Sequence, residues 1–241
     1  SLCFYNQEKP LISMTYYATH PQSFYRRGTV SADTVGLARY LREAVEPEVN
    51  HIHFCGAGGN IGAGKYNDGS PENRFKLAGR LAKGMRDAWE TSVKIPVTAS
   101  DFSWKSLNIT LPIDSKYLEA DAEQKIRNEI HKNNSMRETR RLAYLLRRKS
   151  GKGIDLSCIR IGPVSILHMP GELFVEYQLA AQAMLPGKMV CMAAYGNYGP
   201  SYIGTAETYS QGGYEASADV GCPVPEVETV LMGAMKELLS H

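Results

Sequence analysis

A chain of 241 residues, 43% hydrophobic and 22% charged with a formal net charge of +2, holds enough apolar material for one large α/β domain, and no Pro/Gly/Ser-rich linker divides it. The near-balanced charge gives no reason to expect nucleic acid or an anionic membrane as partner, and neither a signal peptide nor a membrane anchor of transmembrane length is recognisable. The scattered Cys3, Cys55, Cys158, Cys191 and Cys222 lack CxxC spacing, which argues against a thiolate zinc site or a disulfide framework and for buried small hydrophobes. The start at Ser1 rather than methionine reads as a processed product or a fragment.

In chain order, residues 2–5 and 11–19 read as two strands of a hairpin, and Pro21 stops the second so that His20 is delivered at a strand end. Ser31 or Asp33 is placed to cap a helix running from Val35 to Val45. Residues 49–55 form a short buried strand, the glycine-dense segment 56–69 a loop, and Ser70-Pro71 the start of a helix through Phe75, Leu77, Leu81, Met85 and Trp89. Extended structure is expected over 93–113. A helix pair spans 120–150, with a break at Asn133-Asn134-Ser135. The basic run 137–149, with Arg140, Arg141, Arg147 and Arg148, lies opposite Leu142, Leu145 and Leu146; a solvated face explains it better than a phosphate or headgroup patch.

Two more strands, 154–162 and 164–168, hinge at Gly162-Pro163. The chain then breaks at Pro170-Gly171 and resumes as a helix with Glu172 in its first turn, where unpaired N–H groups favour a carboxylate. A buried strand at 188–194 leads into a loop carrying Tyr195, Tyr198, Tyr202, Tyr209 and Tyr214, and a helix over 224–239 closes the chain. The order predicts a single α/β domain, a mixed sheet with helices on both faces.

The glycine loop fits neither a Walker sequence nor a clean GxGxxG; it can bring backbone N–H groups to an oxyanion or phosphate, or serve as a tight turn. His51 and His53 share one strand face and are a metal pair only if a third ligand joins them; His168 is equally open. The dispersed set is more informative. His20 and Glu172 end or follow different strands, and a His plus a Glu make half of a nitrogen/oxygen zinc site with an open position.

Three segments carry a resemblance: Tyr16-Tyr17-Ala18-Thr19-His20, Pro170-Gly171-Glu172-Leu173, and residues 202–217 with Tyr202, Tyr209 and Tyr214 in register. Together and in this order they resemble blocks of the neutral/alkaline (non-lysosomal) ceramidase family. The resemblance implies a zinc amidase that hydrolyses the N-acyl bond of ceramide or a related lipid. It implies one zinc ion on His20, Glu172 and Tyr202, with Tyr214 helping to polarise the scissile carbonyl. It also suggests action at a membrane surface, in a secreted or periplasmic setting. Two departures stand out. The family's first zinc histidine has no counterpart among the nineteen residues before His20. Its serine-bearing Gly-Asp-x-Ser-Pro-Asn loop aligns with Gly59 to Gly64, so that Asn60 replaces the acid and Gly62 the serine. The N-terminal segment and the C-terminal immunoglobulin-like domain of larger members are expected to be lacking. Two functions follow: a zinc-dependent amide hydrolase with N–H groups at Gly59 and Asn60 as oxyanion donors, or a non-catalytic relative binding a small polyol, sugar or lipid headgroup near Lys65, Asn67 and Asp68.

Overall fold

The structure, a computed structural model, describes residues 1–25, 27–63, 67–133, 135–197 and 201–240. Strand β1 (Leu2–Asn6) pairs antiparallel with β2 (Lys9–Tyr17), and β2 pairs parallel with β3 (Asn50–Cys55), the intervening helix α1 (Asp33–Glu43) making the crossover. Helix α2 (Glu72–Glu90) follows and packs against α1. The second sheet has the order β4 (Phe102–Ile109), β5 (Ile154–Ile161), β6 (Val164–Pro170), β8 (Met189–Gly196); its first three strands are antiparallel neighbours and the last pair is parallel. Helices α3 (Ala122–Asn133) and α4 (Met136–Lys149) pack as a pair between β4 and β5 in sequence. Strands β7 (Glu172–Leu173) and β9 (Tyr202–Ile203) form a small parallel sheet. Helix α5 (Val175–Met184) lies in the crossover between the parallel strands β6 and β8, and α6 (Ala206–Gln211) and α7 (Val227–Leu239) complete the chain.

The mixed α/β expectation holds, with hydrogen bonding divided among three sheets instead of one. Period-two burial places the core. Leu156, Cys158, Leu167, Met169 and Met192 face one side of the second sheet and meet Leu231, Met235 and Leu238 of α7, all buried. All five cysteines are free, and three are buried. No helix among the described residues is long and apolar enough to cross a membrane.

Several boundaries differ from expectation for local reasons. Glu172 is not in a helical turn. Gly171 takes a left-handed conformation (φ 60°), and Glu172 N–H donates to the Ser201 carbonyl at 2.8 Å, so the chain pairs with β9 before α5 begins at Val175. Asp33 does not cap its own helix conventionally. Its carboxylate accepts from the Ser23 and Phe24 N–H groups (3.0 and 2.9 Å) and from the Ser23 hydroxyl, and so secures the loop that follows His20. The stretch before β4 is irregular up to residue 98, and α7 starts three residues later than the apolar pattern suggests.

Candidate active site

Three side chains that are far apart in sequence meet at one point. His20 lies just beyond β2. Its backbone N–H donates to the Ile61 carbonyl at 2.8 Å, and its ring Nδ1 lies 3.1 Å from the same oxygen. A carbonyl only accepts, so Nδ1 carries a proton; Nε2 donates toward Glu172 when the ring is charged and presents its lone pair when the ring is neutral. That nitrogen sits 3.3 Å from Glu172 Oε2 and 3.3 Å from the Tyr202 hydroxyl. Glu172 and Tyr202 are register partners in the β7–β9 pair, so their side chains leave the same face of that ribbon.

Glycines make this approach feasible. A Cβ on Gly59 would stand 2.4 Å from the Glu172 carbonyl oxygen, and one on Gly171 would stand 2.6 Å from the Ser201 carbonyl. The Gly59 N–H donates to the Leu173 carbonyl at 2.7 Å, latching the glycine loop onto β7. Asn60 extends the latch: its Oδ1 accepts the Val175 N–H at 2.9 Å, and its Nδ2 donates to Glu176 at 2.9 Å, so it acts as a cap for α5. The Gly59 N–H is already donated, and the Asn60 side chain is engaged at the helix start.

Glu172 is only 7% exposed. Its hydrogen bond to His20 raises the imidazole above its ordinary pKa, against the opposing effect of burial. The Tyr202 phenol is pushed well up, first by burial and then by the Glu172 charge, so it stays protonated when no cation is bound. Tyr214 packs edge-to-face on Tyr202, ring centroids 6.1 Å apart, and its hydroxyl accepts from Arg137 at 3.4 Å.

His20 and Glu172 are nitrogen and oxygen donors of the kind that hold zinc, and the Tyr202 phenol would have to be the third. Two ligands bound tetrahedrally at about 2.0–2.1 Å lie about 3.3–3.4 Å apart, which is the separation from His20 Nε2 to each oxygen and is longer than a well-made hydrogen bond. The Nδ1–H bond to a backbone carbonyl is the outer contact that fixes a metal-binding imidazole in the correct tautomer. No group of three or more His, Cys, Asp or Glu side chains converges among the described residues, so a metal here would need the Tyr202 phenol as its third protein donor.

The other candidates resolve differently. His51 is buried beside Arg42, Glu46 and Trp89, and His53 shares a 2.9 Å contact with Thr15 Oγ1; among the described residues no third metal ligand joins the pair. His168 packs across Gly196, where a Cβ would lie 2.1 Å from its Nε2. Asn67 and Asp68 build the turn before α2, through bonds to Gln22, Ser70 and Asn73. Lys65, with Tyr66 and Tyr198, lies outside the described residues.

Two cavities adjoin the cluster. One of about 220 Å³ is polar and is lined by Glu172, Tyr202 and Tyr214 together with Gln22, Ser201, Val220, Arg137 and Arg140. The other, about 510 Å³ and mainly apolar, lies between β2–β3 and the α1–α2 pair and has His20 in its wall. Sequence reading missed Arg137 and Arg140. Their spacing of three residues in the first two turns of α4 puts them on one helix face, and that was the available signal.

The chain matches no protein-family model and no curated protein. Among solved structures it is similar to a ceramidase complexed with C2 and to the neutral ceramidase from Pseudomonas aeruginosa, in each case with a TM-score of 0.67 and 14% sequence identity over 96% of this chain. It spans under half of their length, 45% and 44% of the two chains. At that identity the likeness is one of fold, and the fold of this chain is ceramidase-like.

Proposed function

We propose that the site hydrolyses an N-acyl amide bond of a lipid-like substrate, with His20, Glu172 and Tyr202 holding a zinc ion. The observation that carries this is the meeting of an imidazole, a carboxylate and a phenol at 3.3 Å spacing on a ceramidase-like fold. Such an ion supplies Lewis-acid polarisation of the carbonyl and a nucleophilic water at neutral pH. Water adds its oxygen to the acyl carbon, the C–N bond breaks, and the amine leaves with the remaining proton, giving a carboxylic acid and an amine.

The side chains supply the rest. Ile61 fixes the His20 tautomer, and the β7–β9 pairing fixes Glu172 relative to Tyr202. Because Arg137 can only donate, the Tyr214 hydroxyl accepts from it and keeps its own proton for an oxygen that gains charge in the polar cavity. The apolar cavity on the far side of His20 offers room for an acyl chain. The C2 complex of the similar ceramidase is in keeping with a lipid-like substrate.

The alternative, a ligand-binding relative without turnover, is favoured by the engaged Gly59 N–H and by glycine at position 62. Metal analysis with a hydrolysis assay separates the two. Purified protein should hold one zinc ion per chain and cleave N-octanoyl amides, and His20→Ala should lose both. Metal-free wild-type protein, or a fully active His20→Ala, would defeat the zinc hydrolase.

A further inference from the structure

One imidazole in the wall of the apolar cavity takes no part in the cluster. His53 on β3 and Thr15 on β2 are register partners, so their side chains leave the same face of the three-stranded sheet, and both line the cavity. Across the space stand Val35 of α1 and Leu77, Leu81, Met85 and Ala88 of α2, all apolar.

The Thr15 hydroxyl lies 3.2 Å from the Ile52 carbonyl and 2.9 Å from His53 Nδ1. It has one proton and donates to one of the two. The ring then either donates from Nδ1 and offers a lone pair at Nε2, or accepts at Nδ1 and donates from Nε2. In both cases Nε2 is the atom left over: among the described residues no protein group bonds it, and it is not sealed away from the cavity.

A plain alkyl chain filling this space strips water from Nε2 and puts nothing in its place, whereas a hydroxyl both donates and accepts and so satisfies either tautomer. A carboxylate fits less well. It only accepts, and the loss of its water is offset only against a charged ring, while burial and the Arg39 charge lower His53 to a pKa of about 4. Arg80, also in the wall, has an interaction of its own. His20 follows Thr15 by five residues along and just past β2, which at about 3.3 Å per residue puts His53 roughly 10–15 Å from the cluster. An extended chain advances about 1.2 Å per bond, so the matching hydroxyl stands about eight to twelve bonds from the scissile carbonyl.

Building on the amidase reading above, we propose that the acyl half of the substrate is a hydroxy-acyl chain whose distal hydroxyl is seated on His53 Nε2. His53 then sets specificity, and Thr15 positions its ring.

Calorimetric titration with the ethanolamides of dodecanoic, 2-hydroxydodecanoic and 12-hydroxydodecanoic acid, and with the mono-ethanolamide of dodecanedioic acid, tests this, with amine release measured in parallel. Wild-type protein should bind the 12-hydroxy amide roughly tenfold more tightly than the plain one, and the 2-hydroxy amide should gain nothing. His53→Phe should erase the preference and bind the plain amide at least as tightly as wild type does. Thr15 keeps the Ile52 carbonyl as its acceptor in that variant, so no polar group is orphaned and melting should match the wild type. His53→Gln should retain part of the preference. Equal binding of the plain and 12-hydroxy amides, binding of none, an equal gain from the 2-hydroxyl, tightest binding of the dodecanedioic amide, or a preference that survives His53→Phe would overturn the proposal. A preference lost in His53→Phe without turnover of any amide would sink the hydrolase and leave the hydroxyl seat standing; turnover without preference would do the reverse.

Discussion

The two layers of the molecule are filled differently. Under α7, Leu156, Leu167 and Met192 of the four-stranded sheet meet Leu231, Met235 and Leu238, each less than 2% exposed. Over the three-stranded sheet, the buried apolar cluster among the described residues is Ala38, Ala82 and Met85, and about 510 Å³ is left open. The cause lies in the inner faces of the helices. Apart from Arg42 and Met85, helix α1 turns Thr34, Gly36 and Ala38 inward and α2 turns Asn73, Ala78 and Ala82, whereas α7 presents mainly leucines and a methionine. Small inward residues keep two helices in place without filling the space beneath them. Glu172 follows Gly171, whose backbone bonds to Tyr195 and Gly196 at the edge of the filled layer, and the hollow layer carries His20, so the cluster is assembled where a rigid support meets a vacant one.

The joint between the layers is the glycine loop, and breaking it should give the largest effect. Gly59→Ala would force a methyl to within 2.4 Å of the Glu172 carbonyl oxygen and 2.9 Å of the Leu173 carbonyl oxygen, so β7 must shift and the Gly59 N–H bond must lengthen. Overpacking plus a weakened buried bond costs about 1–3 kcal/mol, and a displacement of Glu172 by about an ångström costs about 10²-fold in hydrolysis. Gly79→Ala is the control, since its Cβ would meet nothing within 4 Å. Thermal unfolding and amine release on the two variants check this. Wild-type activity in Gly59→Ala would mean that the loop does not position the carboxylate.

The next test bears on the hollow layer alone. Gly84 lies within α2 and in the cavity wall, and its Cβ too would meet nothing within 4 Å. Gly84→Ala should stabilise the fold by about 0.5–1 kcal/mol, because glycine is costly inside a helix. Gly84→Phe should fill the cavity and lower kcat/KM for a dodecanoyl amide by roughly tenfold or more, from several methylenes at about 0.8 kcal/mol each, while sparing an acetyl amide. A loss that is the same for both chain lengths would remove the acyl chain from this cavity.

These sites also mark how far the sequence could be read. Strand alternation, the Pro21 stop after His20 and the helix pair broken near Asn133 are local signals, and the structure follows them. The meeting of His20, Glu172 and Tyr202 was expected from resemblance, because nothing local encodes a contact across 152 or 182 residues. The place of Glu172 was misread. Pro170-Gly171 before an apolar run looks like a helix start, and only the distant Ser201 carbonyl, by accepting the Glu172 N–H, turns the segment into a strand. Arg137 and Arg140 were hidden among cations of the same type. Which arginine faces a cavity and which holds a loop depends on Ala218, Gly153 and Leu111, whose positions are fixed by tertiary packing.

Acid should distinguish the layers most gently. His53, in the wall of the hollow layer, is lowered by burial and by the Arg39 charge to a pKa of about 4, and His51 is lowered by burial and then Arg42. Above about pH 6.5 both histidines are neutral whether the chain is folded or not, and their contribution is intact. As pH falls below that value the unfolded chain takes up protons that folded His53 refuses, so stability drops until about pH 4 and then levels for this group. Amide exchange should therefore accelerate in β2 and β3 before β5 and β6 as pH is lowered from 7 to 4.5. A few degrees of melting temperature should be lost over the same window. His53→Asn should flatten part of that loss, because its side chain has no charge to refuse. Equal acceleration in both sheets, or an unchanged pH profile in the variant, would place the acid sensitivity elsewhere and leave the contrast resting on packing alone.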